Sequence, residues 1–102
     1  NVVGGVKLSE TGADLAVLAA IISSLRNRAL PRDWVLFGEV GLTGEIRPVQ
    51  AGEERIRDAG KHGFSHAIVP AANAPRKASK GIKVTGVRHL SEVIAALREA
   101  AG

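Results

Sequence analysis

Three stretches of the chain place apolar residues at helical spacing. The first opens with the [ST]-x-x-[DE] capping pattern at residues 11–14, and its spaced apolar residues are Leu15, Leu18, Ile22 and Leu25. Further apolar residues surround them, so this helix should be central and covered on more than one side. Arg26 and Arg28 follow at its C-terminal end, where cations suit the helix dipole, and Pro31 should end it.

The other two helices are predicted from their flanking residues as well as from their spacing. Residues Gly52–His62 form a strongly polar helix in which Glu53 and Arg57 make a favourable i, i+4 pair. Gly63 is a natural residue to follow its C-terminus. Ser91 is expected to cap the last helix, whose inward-facing residues should be Val93, Ile94 and Leu97.

Shorter apolar runs bounded by Gly and Pro predict the strands. These runs are Asn1–Leu8, Trp34–Val40, Glu45–Val49, Ala67–Val69 and Ile82–Val87. A turn at Gly41–Gly44 joins the second run to the third, and a loop at Ala71–Gly81 joins the last two. The order of these elements predicts one α/β domain over residues 1–102, with helices packed on a mixed sheet.

Composition excludes several classes of protein. Hydrophobic residues make up 45% of the chain and charged residues 24%, which is a globular balance. No apolar run has the length of a membrane span, and the N-terminal residues lack the pattern of a signal peptide. Cysteine is absent, so disulfides and thiolate chemistry are excluded. His62, His66 and His89 are too scattered to suggest a zinc site, and no metal site is expected.

The charge of the chain is mildly basic, with a formal net charge of +4 and nine arginines among the 14 cations. This balance permits an anionic partner such as nucleic acid. Aromatic residues number only three, so contact with phosphates is favoured over base stacking. Two candidate cations have a second interpretation, because Arg57 could pair with Glu53 and Arg28 could cap helix carbonyls. The candidate residues for contact with the phosphates of such a partner are Arg26, Arg28, Arg47, Arg55, Arg57, Arg76, Lys77 and Lys80.

Common catalytic motifs are missing from the sequence. It contains no G-x-x-x-x-G-K-[ST] loop, no H-E-x-x-H and no G-x-S-x-G. Each histidine is therefore interpreted as a surface or boundary residue rather than as a catalytic base.

Several segments carry a family resemblance that runs along the whole chain. They are residues 1–5 (NVVGG), 37–49 (FGEVGLTGEIRPV), 54–64 and 67–73 (AIVPAAN). They resemble the proteolytic domain of Lon proteases. More closely, they resemble the C-terminal Lon-like domain of the RadA/Sms family of bacterial DNA repair proteins.

This resemblance implies a fold like that of ribosomal protein S5 domain 2, here without the first strands of the full domain. It also implies a parent protein with an upstream RecA-like ATPase domain and an N-terminal zinc finger. ATP, Mg and Zn would belong to those domains, and no cofactor to this one. The implied partners are DNA, further copies in a hexameric ring and a recombinase, but no membrane. The implied role is homologous recombination in the bacterial cytoplasm.

The resemblance can be followed to the catalytic dyad of active Lon proteases, which use a serine nucleophile and a lysine base. The serine of their G-P-S-A-G motif falls on Gly12, and the lysine of G-G-L-K-E-K falls on Glu53. Acyl transfer needs a nucleophile and a group that takes its proton. The resemblance therefore implies a domain with no catalytic residue of its own, in a parent that is a DNA-dependent ATPase.

Three functional hypotheses follow. The leading one is a domain that binds DNA without regard to sequence and helps to form the ring. The second is a pure oligomerisation module, whose interface would be the Gly-rich surface at Gly38–Gly44. The third is an active Lon-like peptidase, with Ser9 or Thr11 as the nucleophile, which Gly12 and Glu53 argue against.

Overall fold

A computed structural model describes residues 2–3, 6–7, 14–77 and 81–101 of the chain. The helices are α1 (Asp14–Leu25), α2 (Gly52–Lys61) and α3 (Leu90–Ala101). The strands are β1 (Val2–Val3), β2 (Val6–Lys7), β3 (Trp34–Leu36), β4 (Glu39–Val40), β5 (Ile46–Arg47), β6 (His66–Pro70) and β7 (Lys83–Val87). A short 3-10 turn, Ala71–Asn73, follows β6.

The main sheet is parallel and has three strands in the order β3-β6-β7, with Ala67 of β6 opposite Val35 and Val84. Two antiparallel pairs, β1 with β2 and β4 with β5, accompany it. The α/β class with both kinds of strand pairing, and the helices packed on it, are therefore confirmed. The more specific resemblance to ribosomal protein S5 domain 2 stays a prediction.

Helices cover both faces of the parallel sheet. Successive side chains of its strands point to opposite faces, and each face packs into a core of its own. Ile68 and Val87 face one core, which also contains residues of α1 and α3 such as Leu15 and Val93. Ala67 and Val69 face the other, which contains Ile56, Ala59 and Phe37. The sheet thus separates the surface of α1 and α3 from the surface of α2.

Two predicted strands are divided in the structure. The single run Trp34–Val40 is wrong as one strand: β3 and β4 are separated at Gly38, whose φ of 152° favours glycine. A Cβ atom there would lie 3.1 Å from Ile46 Cγ2. The run Asn1–Leu8 is also wrong as one strand, since β1 and β2 pair with each other and Val3 lies opposite Val6.

Two helix ends differ from the prediction in the residue that forms them. Helix α1 ends through Asn27, which has φ 56°, and the N–H of Arg28 donates to the carbonyl of Ser23 at 3.1 Å. Pro31 therefore does not end it. Gly63, with φ 88°, follows α2 as predicted. Ser91 does not cap α3, which begins one residue earlier with a different set of contacts described below.

Candidate nucleic-acid and protein interfaces

The predicted DNA-binding residues lie on separate parts of the fold. Arg26 and Arg28 follow α1 on one side of the sheet, and Arg55 and Arg57 belong to α2 on the other. Arg47 lies in β5, while Arg76 and Lys77 follow the 3-10 turn. Lys80 falls outside the described residues. The structure therefore assembles no single surface from all of the predicted cations that it describes.

One groove lies where the C-terminal ends of α1 and α3 meet, and we call it the helix-end groove. Its apolar lining consists mainly of Ile22, Leu30, Ile94 and Leu97. Three arginines also line it, namely Arg26, Arg28 and Arg98. All three are exposed, and none has an ion pair with a residue that the structure describes.

Arg98 was missed by the sequence prediction, although its spacing offered a signal. It lies four residues after Ile94, so the two side chains share a face of α3. What the sequence did not reveal is that this face meets the end of α1, some seventy residues earlier in the chain.

The hairpin formed by β4, the turn Gly41–Gly44 and β5 contains a compact charge cluster. The Arg47 guanidinium lies 2.9 Å from Glu45 and 3.7 Å from Glu39. The Thr43 hydroxyl donates a hydrogen bond to Glu45 at 2.8 Å, and the Thr43 N–H donates a second at 3.1 Å. The Thr43 hydroxyl, backbone N–H donors and Arg47 together lower the pKa of Glu45 to about 2. Contact of Arg47 with DNA stays a prediction, and it would compete with both carboxylates.

His89 joins this hairpin to the start of α3. Its Nδ1 accepts the Ser91 backbone N–H at 3.1 Å, which assigns the proton to Nε2. Nε2 then donates to the Thr43 carbonyl at 3.0 Å. In return, the Glu92 carboxylate accepts the N–H groups of Arg88 and His89 at 2.9 and 3.1 Å. The imidazole and Glu92 thus form a capping box in which histidine takes the place of the usual serine or threonine.

Arg55 and Arg57 have different surroundings on α2. Arg55 is half-buried, its Nε donates to the Gln50 carbonyl at 3.1 Å, and its guanidinium lies 5.8 Å from the centre of the Phe37 ring. That position is suitable for a cation–π contact. Arg57 is exposed, and within the described part of the chain it has no ion pair with Glu53, so the predicted i, i+4 pair is wrong.

A shallow depression lies between the start of α2 and the 3-10 turn. Its lining includes Glu53, Glu54, Arg57 and residues 72–74. Asn73 fixes the turn here, because its amide accepts the Val49 N–H at 2.8 Å and donates to the Val49 carbonyl at 2.9 Å. Ala74 and Pro75 separate this turn from exposed Arg76 and Lys77, which we call the loop cations. They too lack an ion pair among the residues described.

His66 is held in a structural setting on β6. Its Nε2 lies 2.7 Å from the Thr85 hydroxyl, and its ring meets the Trp34 ring edge-on at 4.2 Å. Burial, assisted by the charge of Lys83, lowers its pKa below the ordinary value, while Asp33 acts in the opposite direction. This is a boundary residue with partners on two neighbouring strands.

The two dyad positions can be compared only in part, because Gly12 lies outside the described residues, as do Ser9 and Thr11. Glu53 is exposed in the first turn of α2. Among the described residues, no group of His, Asp and Glu side chains could hold a metal ion. In that part of the chain, no helix is long and apolar enough to cross a membrane.

Comparison with known proteins supplies the family. Residues 4–73 match the family described as "Subunit ChlI of Mg-chelatase". The chain is 64% identical, over 92% of its length, to the "DNA repair protein RadA" of Escherichia coli (strain K12). It is 59% identical over 97% of its length to the protein of that name from Pseudomonas aeruginosa, and 41% identical over 95% to that from Aquifex aeolicus. This chain belongs to the RadA family, as a ChlI-like domain.

The relatives of the RadA family are much longer than this chain. It spans 20–22% of the length of the three just named. The resemblance to RadA/Sms proteins predicted from the sequence is confirmed by these matches.

Proposed function

We propose that this domain serves a DNA repair protein of the RadA type in two ways: it contacts DNA through phosphates, and it joins subunits of an assembly. The name of its relatives supports the link to DNA repair. The observation that carries DNA contact is the presence of exposed cations without a carboxylate partner among the described residues. Arg57 is on α2, and Arg76 and Lys77 follow the turn that lines the same depression.

The DNA surface in this proposal consists of the loop cations Arg76 and Lys77 with Arg57. Arg57 lines the same depression as the turn that leads to them. The helix-end groove also has arginines without an ion pair to a described residue, but most of its other lining is aliphatic, and a phosphate backbone gains nothing from aliphatic side chains. Apolar surface framed by polar groups is typical of protein contacts. We therefore assign phosphate contact to the loop cations.

The test is fluorescence anisotropy of labelled duplex and single-stranded DNA, titrated with the 102-residue chain at several salt concentrations. Each phosphate neutralised on duplex DNA contributes a slope of about −0.9 to log K against log salt. The double variant Arg76→Ala, Lys77→Ala removes two contacts, so we expect weaker binding and a slope smaller by about 2.

A matched control removes the same charge from the other side of the sheet. The double variant Arg26→Ala, Arg28→Ala should bind DNA almost as the parent chain does. If the control loses binding and the loop variant keeps it, this proposal has placed the DNA surface on the wrong side of the sheet. If neither variant loses binding, these cations do not bind DNA.

We further infer that the domain has no peptidase activity, because the resemblance to Lon proteases aligns Gly12 with their nucleophile and Glu53 with their base. A fluorogenic peptide series should show no hydrolysis by the purified chain, and a serine-directed fluorophosphonate probe should not label it. Hydrolysis that is lost in Ser9→Ala or Thr11→Ala would contradict this inference.

We also propose, from the resemblance, several properties of the parent protein. They are a hexameric ring, ATPase activity, the use of ATP, Mg and Zn, a recombinase partner and a place in the bacterial cytoplasm.

The alternative function, an oligomerisation module without DNA contact, is favoured by the apolar helix-end groove and the exposed hairpin. Absence of DNA binding by a chain that still associates would select this alternative.

A further inference from the structure

The tip of the hairpin exposes a large apolar side chain. Leu42 is fully exposed, with a relative accessibility of 105%, in the turn Gly41–Gly44 between β4 and β5. Exposed Leu25, at 82%, and Ile21, at 50%, are the other large apolar side chains of this kind in the described part of the chain. Isolated exposed leucines are common, so exposure alone does not make the tip a binding surface. The case for one depends on how the hairpin is attached to the protein and on whether a complementary groove exists.

The hairpin is rigidly attached to the body of the protein. The Leu90 N–H donates to the Gly44 carbonyl at 2.8 Å, and the Ile46 N–H donates to the Arg88 carbonyl at 2.8 Å. His89 adds the bond to Thr43 described above. Fixing Leu42 in this way lowers the entropy that it would lose on binding. A rigid apolar tip is suited to insertion into a partner's groove.

The helix-end groove lies at the far end of the same helical layer. Helix α1 begins at the hairpin, where the Leu15 N–H donates to the Gly38 carbonyl at 3.0 Å, and α3 begins there as well, at Leu90. The groove residues Ile22 and Leu97 each lie seven positions further along their helix, which is roughly 10 Å at 1.5 Å per residue. The fixed tip therefore cannot reach the groove of its own chain.

The two surfaces are complementary in character. The tip offers an aliphatic side chain, and the groove is lined by aliphatic side chains. Ile21 and Leu25 of α1 are exposed as well, and each precedes a groove residue, Ile22 and Arg26, in the sequence. The charges also match. The hairpin has two carboxylates, Glu39 and Glu45, for one arginine, whereas the described lining of the groove has three arginines and no carboxylate.

We propose that the hairpin tip of one copy of this chain, with Leu42 at its centre, docks in the helix-end groove of a second copy. The tip and the groove are different patches, so the contact is head-to-tail and leaves one tip and one groove free in every dimer. Such contacts close into rings or continue as filaments. This proposal rests on the subunit-joining part of the proposed function and is independent of its DNA contact.

The first test measures association of the chain by sedimentation over a range reaching millimolar protein, because one anchor with a small surrounding area gives a weak contact. The weight-average mass should rise with concentration. Leu42→Asp should abolish this rise, and Arg28→Glu should reduce it. Leu42 is fully exposed, so its replacement should leave the circular dichroism spectrum and the unfolding midpoint unchanged.

The second test uses the absence of cysteine from the chain. Leu42→Cys chains are mixed with Ala29→Cys chains, whose new thiol lies at the groove, and the mixture is oxidised with copper phenanthroline. A disulfide between the two variants should form faster than in a mixture of Leu42→Cys with Glu54→Cys, which places the thiol on α2. A chain with both Leu42→Cys and Ala29→Cys should give a ladder of linked oligomers.

The proposal is overturned by a chain that stays monomeric at millimolar concentration, by association unaffected by Leu42→Asp, or by equal cross-linking of Leu42→Cys to both partner variants. A tip that links only to another tip would indicate a symmetric contact and would also overturn it. None of these results bears on DNA binding, which the loop-cation variants test separately.

Discussion

Glu45 illustrates how much a surface carboxylate can be altered by its immediate neighbours. It accepts hydrogen bonds from both the hydroxyl and the N–H of Thr43 and contacts Arg47. All of these groups favour the charged form, and so its pKa is about 2 although the residue lies at the surface. The neighbours are two residues away on either side, so the ingredients are local in sequence.

The first residue-scale prediction concerns acid stability. The folded-state pKa of Glu45 lies below its ordinary value of 4.5, so its stabilising contribution is fully present above pH 4.5 and is lost as the pH falls towards 2. Glu45→Gln should therefore be less stable than the parent chain at neutral pH. The difference should shrink between pH 4.5 and pH 2. Urea unfolding at a series of pH values measures both free energies of unfolding.

The control for this prediction is Glu54→Gln, because Glu54 is an exposed carboxylate of α2. Its carboxylate has no ion pair among the described residues, so Glu54→Gln measures the effect of removing one exposed negative charge. A Glu45→Gln difference that stays constant from neutral pH to pH 2 would show that the hydrogen bonds do not depend on the charge of Glu45.

At the scale of single elements, α2 depends on a close approach between its first residue and the 3-10 turn. A Cβ atom on Gly52 would lie 2.4 Å from Asn73 Nδ2 and 2.7 Å from Asn73 Cβ. Asn73 cannot easily move away, because its amide is bonded to both backbone groups of Val49. Glycine at this position therefore lets the helix start here without displacing the Asn73 side chain.

The element-scale prediction is that two Gly→Ala changes in α2 have opposite effects on stability. Gly52→Ala forces the Asn73 amide aside and should cost about 1–3 kcal/mol. Gly60→Ala meets nothing closer than 3.7 Å and should stabilise by about 0.5–1 kcal/mol, because alanine favours the helix. Urea midpoints of both variants are the measurement, and two shifts of the same sign would contradict the explanation.

Elements were predicted well where the signal is local and poorly where a distant contact decides. The polar helix Gly52–His62 and its closing Gly63 are confirmed almost to the residue. The sequence predicts Ser91 as the cap of α3, but the residue that caps it is His89. No sequence rule indicates that a histidine caps a helix while it also donates to a carbonyl 46 residues away. Likewise, β5 (Ile46–Arg47) is shorter than the predicted run Glu45–Val49, because the backbone groups of Val49 are hydrogen-bonded to Asn73 rather than to a partner strand.

At the scale of the whole molecule, the parallel sheet decides which surfaces are separate. The helix-end groove lies on the side of α1 and α3, and the depression beside the loop cations lies on the side of α2. Variants that test DNA contact and variants that test association therefore fall on opposite sides. Effects of distant sites generally add. Combining Leu42→Asp with Arg76→Ala and Lys77→Ala should therefore abolish association and weaken DNA binding as much as the separate variants do.

The sequence by itself determined the class of fold, the three helices, the turn at Gly41–Gly44 and the membership of the RadA family, because these depend on local spacing and on residue identity along the whole chain. The sequence identified eight candidate cations but did not show how they are arranged in space. Tertiary structure alone decided that Glu39 and Glu45 hold Arg47, and that Arg98 joins Arg26 and Arg28 around one apolar groove. Such groupings depend on how separate elements pack against a common sheet, and that packing brings together residues far apart in the chain.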